Sequence, residues 1–291
     1  MSNSPICSIP VSRRPLPGLL RLAVGTGSLL WLLLCLTSGI AQAQAEATWA
    51  SRVVDYEQGI GAVPPFFQPS LALGPIAETA HPLNGSLQVV SIGQGGHLTL
   101  AFETPVENHL GQPDFIVFGN AFYSNAVERV HFQEPGWVEV AVDHNGNGTP
   151  DPDEPFYLLA GGMLPHPGTP PEFPLPPEYS GSVDHALLPT TGYCDVTPTL
   201  GTGDPTIPDD PLTPGLTEGS SGGDAFDLDW AVDSAGAHIA LTQIDFIRIH
   251  NAFAGTQNIG SPGTSSTEVD AIAVLPRLNP AGDPAATWEL W

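Results

Sequence analysis

The 291-residue sequence predicts an all-β protein, a single jelly-roll-like β-sandwich carrying one long proline- and glycine-rich excursion. Three observations carry that expectation. No stretch after residue 45 sustains a 3.6-residue apolar period, short apolar or alternating runs recur between Gly, Pro and Asn, and repeated crossover helices are missing.

The runs, in order, are "LQVVSI" (87–92), "HLTLAF" (97–102), "DFIVF" (114–118), "WVEVAV" (137–142), "FYLLA" (156–160), "QIDFIRIH" (243–250) and "EVDAIAVL" (268–275). In "WVEVAV", Val138, Val140 and Val142 share one face and Trp137, Glu139 and Ala141 the other, the alternation of a sheet with one dry side. "DFIVF" is apolar almost throughout, as a central strand would be. Seven such strands need a second layer to bury their apolar faces, hence a sandwich.

Between "FYLLAGG" and "GGDAFDLDW" lies the excursion, residues 161–223, with "PHPGTPPEFPLPPEY" and "TPTLGTGDPTIPDDPLTPG". Proline removes ladder donors there and favours extended or turn structure over central strands. The two runs after it are too few for a separate domain. One sandwich over 46–280 with a short tail at 281–291 is therefore expected.

Arg13, Arg14 and Arg21 precede the apolar run "GSLLWLLLCLTSGI" and the small-residue segment "AQAQA" (41–45), the layout of a secretory signal peptide over residues 1–45. The run is shorter than the roughly 20 residues that cross a bilayer. A secreted or bacterial cell-surface location is expected, with no membrane span in the mature chain. Cleavage would remove three of the seven basic residues and none of the 31 acidic ones, moving the net charge from −24 to −27. That balance argues against nucleic acid and anionic membranes, whose recognition needs cationic side chains. It suits carboxylates that face water, bind cations, or serve halophilic adaptation. Cys7 and Cys35 fall in the leader, so Cys194 has no disulfide partner in the mature chain.

"DHNGNGTPDPDE" (143–154) is the most informative motif. Asp143, Asn145 and Asn147 occupy positions one, three and five of a calcium loop, and Gly148 takes the tight turn. Thr149 offers its carbonyl, Asp151 binds directly or through water, and Glu154 closes the twelve-residue spacing. Strands rather than helices are expected on both sides, because Pro150, Pro152 and Pro155 oppose a following helix. The expectation is calcium in a β connection rather than an EF-hand; a solvated hairpin without metal is the bland alternative.

A weaker second cluster comprises Asp224, Asp227, Asp229 and Asp233 in "GGDAFDLDWAVD", with Asp227 and Asp229 on one face if the segment is extended. Asp114, Asn120, Glu268 and Asp270 sit at strand edges and are further candidates, Asp270 for the second metal site. Trp137, Phe156 and Tyr157 fit either a glycan groove or ordinary packing, and Trp49, Trp230, Trp288 and Trp291 lie near expected ends.

No catalytic residue set is expected. There is no "HExxH"; "GSSGG" around Ser220 and Ser221 lacks a nucleophile elbow; Cys194 has no sequence-adjacent histidine, and His250 beside Asn251 reads as a strand-edge residue. A glycosidase pair among the carboxylates would be spatial, not sequential.

Beyond the residues themselves, an ordered set of segments resembles a family of exported bacterial cell-surface proteins with a predominantly β domain. The segments are "ALGPI" (72–76), "VVSIGQGGHLTLAFETPV" (89–106), "GQPDFIVFGNAF" (111–122), "WVEVAVDHNGNGTPDPDEPFYLLAG" (137–161), "GGDAFDLDW" (222–230), "FIRIHNA" (246–252) and "EVDAIAVL" (268–275). The resemblance implies a surface or secreted role without a settled reaction. Family members commonly carry separate anchoring tails, whereas "AATWELW" has no apolar anchor followed by a basic stop. A resemblance to jelly-roll sandwiches of the galactose-binding type implies carbohydrate binding as an alternative. The leading expectation is a noncatalytic calcium-stabilised protein with an extracellular structural or adhesive role and a glycan or surface protein as partner; a carbohydrate-binding module and a secreted hydrolase are the alternatives.

Overall fold

The structure is a computed structural model that describes residues 47–124, 130–163, 173–184, 187–189, 191–253 and 265–277. All of them belong to the unit Ala45–Trp291. The expected leader, the tail at 281–291, Trp288 and Trp291 lie outside the described residues. Strands are labelled β1 to β16 in chain order.

Two sheets form the sandwich. The larger runs β13 (Ala231–Val232), β9 (Tyr157–Leu159), β8 (Gly136–Ala141), β14 (Gln243–Asn251), β4 (His97–Glu107) and β2 (Arg52–Glu57), with β11 (Tyr193–Cys194) also pairing with β8. The smaller runs β1 (Thr48–Trp49), β16 (Ala271–Val274), β5 (Phe115–Phe118) and β12 (Asp224–Phe226). Two short sheets flank them: β10 (Gly181–Asp184), β7 (Val130–Gln133) and β6 (Phe122–Tyr123), and the pair β15 (Thr267–Val269) with β3 (Val90–Ile92). The all-β sandwich expected from the sequence is thus the fold of the described chain.

The period-two alternation explains the layering. Leu98 and Leu100 of β4, Val138 and Val140 of β8, and Ile247 and Ile249 of β14 point inward and are fully buried. They pack on Phe115, Val117, Phe226 and Ile272 of the smaller sheet, and the Phe115 and Phe226 rings stack at 5.4 Å. Each such side chain contributes about 1.5–3 kcal/mol by leaving water. The other face of β5, Ile116 and Phe118, is buried as well, beneath Ile76, Ala77 and Ala80. That double burial is why "DFIVF" does not alternate.

The outer face of the larger sheet is amphipathic. Arg248 donates from Nε to Thr99 Oγ1 at 2.9 Å and lies 3.6 Å over the Phe156 ring. His250 Nε2 and Glu139 Oε2 are 3.0 Å apart, and Trp137 stacks on both His250 (4.0 Å) and Phe173 (4.9 Å). The Trp137 and Phe156 rings are therefore occupied by the protein's own side chains. No helix among the described residues is long and apolar enough to cross a membrane.

Each expected run contains a strand, with two adjustments. "LQVVSI" pairs only over Val90–Ile92, and "EVDAIAVL" is two strands parted at Asp270, whose carboxylate accepts from the Ala77 N–H at 2.9 Å. The excursion supplies β10 and β11, which pair with β7 and β8. Truncation in the middle of this core tests the layering. Ile247→Ala is expected to lower unfolding free energy by about 2–5 kcal/mol, measured by urea denaturation, whereas Leu87→Ala, at a side chain 79% exposed, changes it little.

Candidate functional site

The loop 143–154 joins β8 to β9, whose register pairs Val140 with Tyr157, so strands flank it on both sides. It winds around its own acidic side chains. Asp143 Oδ1 accepts the N–H groups of Gly146 (2.7 Å) and Asn147 (3.2 Å), and Oδ2 accepts that of Gly148 (2.6 Å). Gly148 has φ +78°, a left-handed conformation that a side chain resists. Desolvation is the largest single influence and raises the Asp143 carboxyl, but the backbone donors of Gly148, Gly146, Asn147 and Asn145 together outweigh it and hold it below the usual carboxylate range. Asn145 Nδ2 (2.6 Å) and Asn147 Nδ2 (2.7 Å) both donate to Asp151 Oδ2. The buried Glu154 closes the loop, with Oε1 accepting from His144 N at 2.7 Å and Oε2 from Asp151 N at 3.0 Å.

Asp143, Asn145, Asn147, Asp151 and Glu154 are thus drawn together by hydrogen bonds within the loop, and the Thr149 N–H and hydroxyl donate to Asn147 Oδ1 at 2.7 and 2.8 Å. One participant was missed. Asp245, at the irregular step of β14, accepts the Asp143 N–H on Oδ2 at 2.8 Å, and burial raises its carboxyl. Its only trace in the sequence is an acidic residue inside an apolar run. Among the described residues, no group of three or more His, Cys, Asp or Glu is arranged to hold a metal ion. The oxygen atoms of the loop are at present satisfied by N–H donors, which a cation would have to displace.

The second set of candidates does not act as one cluster. Asp227 and Asp229 were expected on one face of an extended segment. Instead Asp227 Oδ1 accepts the Asp229 N–H at 2.8 Å and caps the 3₁₀ turn Leu228–Trp230, so the segment is not extended through Asp229. Asp229 reaches Asn108 Nδ2 (3.0 Å) and Gly111 N (2.9 Å). Asp114 accepts from His109 N (2.7 Å) and Leu228 N (2.8 Å), and burial pushes it up to about 6. Asp233 accepts from Ala235 N and Ala237 N, closing a local turn. Asp270 stands apart at Ala77.

Asp224 and Asp227 line a pocket between the sandwich and the excursion. Asp224 opens β12 and accepts from Val196 N and Thr197 N, each at 3.1 Å. Trp230 and Tyr193 supply aromatic wall, and Pro208 to Leu212 close the far side. That far wall is a wound segment: Asp209 Oδ1 accepts Thr217 N at 2.6 Å, Asp210 N donates to Thr217 Oγ1 at 2.8 Å, and Ser220 Oγ donates to Ile207 O at 2.6 Å. Burial is the main cause pushing both Asp224 and Asp227 up to about 7; the neighbouring charges of Asp209 on the first, and Asp114 and Asp229 on the second, add to it. The prolines of "TIPDDPLTPG" gave no hint that they would wall a pocket.

A third acidic group combines the buried Asp195 and Glu268 with the partly exposed Glu134. Asp195, at φ 59°, accepts from Asn120 N (2.7 Å), Ala121 N (2.9 Å) and Glu268 N (2.9 Å). Gly119 is required beside it, since a Cβ there would lie 2.4 Å from Asp195 Oδ1. Glu268 Oε2 accepts from Asn120 Nδ2 at 2.5 Å, and Glu134 Oε1 from Ser266 N at 3.0 Å. Burial, then mutual repulsion, raises Asp195 well above its ordinary value and Glu134 to about 8, while burial alone raises Glu268 to about 7. Asn120 and Glu268 had been singled out in the sequence; Asp195 and Glu134 had not.

Raised carboxylates hold protons in the folded state that the unfolded chain releases. Stability from this group is therefore fullest below the unfolded value near 4.5 and is lost as pH climbs towards about 8. Glu134→Gln keeps the acceptor for Ser266 N–H and is expected to flatten that decline by up to about 1.4 kcal/mol per pH unit, read from urea midpoints between pH 5 and 8. An unaltered slope would show that Glu134 does not carry the proton.

The sequence matches no protein-family model and no curated protein.

Proposed function

We propose that the chain is a noncatalytic exported binding protein that acts outside the cell, with the pocket at Asp227 and Trp230 as its ligand site and the loop 143–154 braced by calcium. The observation that carries the binding reading is the pocket itself. It combines aromatic and proline walls with convergent carboxylates whose proton affinity is perturbed, the composition expected of a ligand site rather than of a packing defect.

Two features favour binding over hydrolysis. A glycosidase separates the proton affinities of its two carboxyls, one acid and one base. Asp224 and Asp227 are instead both pushed to about 7, and both Asp224 oxygens are taken up by backbone N–H groups. A glycan platform at Trp137 is disfavoured because that ring already stacks on His250 and Phe173.

Calcium at the loop rests on the convergence of Asp143, Asn145, Asn147, Asp151 and Glu154 around a turn made by Gly148. The ion would replace N–H donors as the counter-charge and fix the β8–β9 connection. In melting experiments, saturating calcium is expected to raise the midpoint of the full chain by several degrees and chelator to reverse it; a hundredfold excess over Kd is worth about 2.7 kcal/mol. Asp151→Asn, which keeps the volume of the residue collecting both amides, is expected to remove most of that shift. No shift in either protein would dispose of the calcium brace.

The pocket is tested separately by a small-molecule screen on the calcium-loaded chain. Compounds that raise the midpoint of the parent protein and fail on Trp230→Ala support it. Hits indifferent to Trp230→Ala would place binding elsewhere.

A further inference from the structure

Asp209, Asp210, Asp224 and Asp227 line the pocket, and among the described residues no Lys, Arg or His does. Three of these carboxylates have structural work. Asp224 holds Val196 N and Thr197 N, Asp209 holds Thr217 N, and Asp210 Oδ1 accepts Leu212 N at 3.0 Å. Asp227 differs. Its Oδ1 accepts Asp229 N, its Oδ2 accepts no hydrogen bond from the described residues, and the residue is only 5% exposed while lining the pocket.

A carboxylate buried without a positive partner is unfavourable, and either a proton or a cation relieves it. The charges of Asp114 and Asp229 deepen the negative field at Asp227. The same pocket is lined by Trp230, Tyr193, Pro113, Pro208, Pro211 and Leu212, surfaces that contribute little to a hydrated metal ion but suit methyl and methylene groups. An aromatic wall beside an anion attracts a cation through the ring face as well as through the charge. A neutral sugar would satisfy the hydrogen-bonding oxygen and leave the charge uncompensated.

We propose that this pocket binds a small organic cation, an ammonium or quaternary ammonium head on an apolar body, with Asp227 as its counter-ion and Trp230 and Tyr193 as its walls. The inference rests on the pocket being a ligand site and adds the chemical class of the ligand. The cation enters with its apolar body against the prolines and Leu212, and its head pairs with the ionised form of the Asp227 carboxyl. An amine from solution and an amine on a lysine side chain present the same head, and comparing the two separates those sources.

Calorimetry on the full, calcium-loaded chain gives the test, with choline, n-butylammonium, N-acetyl-lysine methylamide and the uncharged choline isostere 3,3-dimethyl-1-butanol. Choline or butylammonium is expected to bind about thirtyfold or more tightly than the neutral isostere, the low end for a desolvated charge pair. Asp227→Asn keeps the acceptor for Asp229 N–H and is expected to abolish the difference between choline and its isostere. Stronger binding of the lysine derivative than of choline would assign the head to a side chain borne on a peptide and leave the class unchanged. Equal affinity for choline and the isostere in the parent protein would overturn the cation while leaving the pocket as a site. So would a screen whose Trp230-dependent hits are all neutral. Absence of any cation binding at millimolar concentration would overturn the inference without reference to the variant.

Discussion

Backbone N–H groups acting as counter-charges to buried carboxylates are the interaction on which this structure depends. The chain contains no lysine and only seven arginines against 31 acidic residues, so its interior carboxylates have few cationic partners. They are met by peptide donors from distant segments instead. Asp114 fastens Leu228, Asp195 fastens Asn120 and Glu268, Asp224 fastens Val196 and Thr197, and Asp270 fastens Ala77. Each of these carboxyls fastens a backbone N–H from a segment distant in sequence. They play the tying role that a small exported domain often gives to disulfides, for which Cys194 has no partner among the described residues.

The same arrangement has a cost that the sites inherit. Burial raises the proton affinity of Asp224, Asp227, Glu134 and Glu268, because the donors offset desolvation only in part. Where every oxygen is engaged, as at Asp224, the carboxylate is structural. Where one oxygen is left over beside a pocket, as at Asp227, the carboxyl is the one we propose as a recognition element.

The sheets were legible in the sequence because a buried face imposes period two, and the strands with complete faces, Gly136–Ala141 and Gln243–Asn251, announced themselves. Short strands such as Phe122–Tyr123 and Tyr193–Cys194 were not, since two residues carry no period. The turn at 143–154 was legible because the polar side chains that bond one another lie within twelve residues of chain. The pocket was not, because Pro208, Tyr193 and Asp227 meet only after the excursion has folded back. Asp227 and Asp229 show the limit most clearly: an alternation that reads as extended is broken by a capping bond between the two residues themselves.

Cys194 acquires an unforeseen use from its surroundings. It is wholly enclosed, and burial, reinforced by Asp224 and Asp195, drives its thiol pKa well above the ordinary value. A thiolate is the reactive species in alkylation, so modification of Cys194 requires opening of the sheet edge where β11 meets β8. The residue is a built-in clock for that opening: the rate at which a thiol reagent labels it measures how often the excursion lets go of the sandwich.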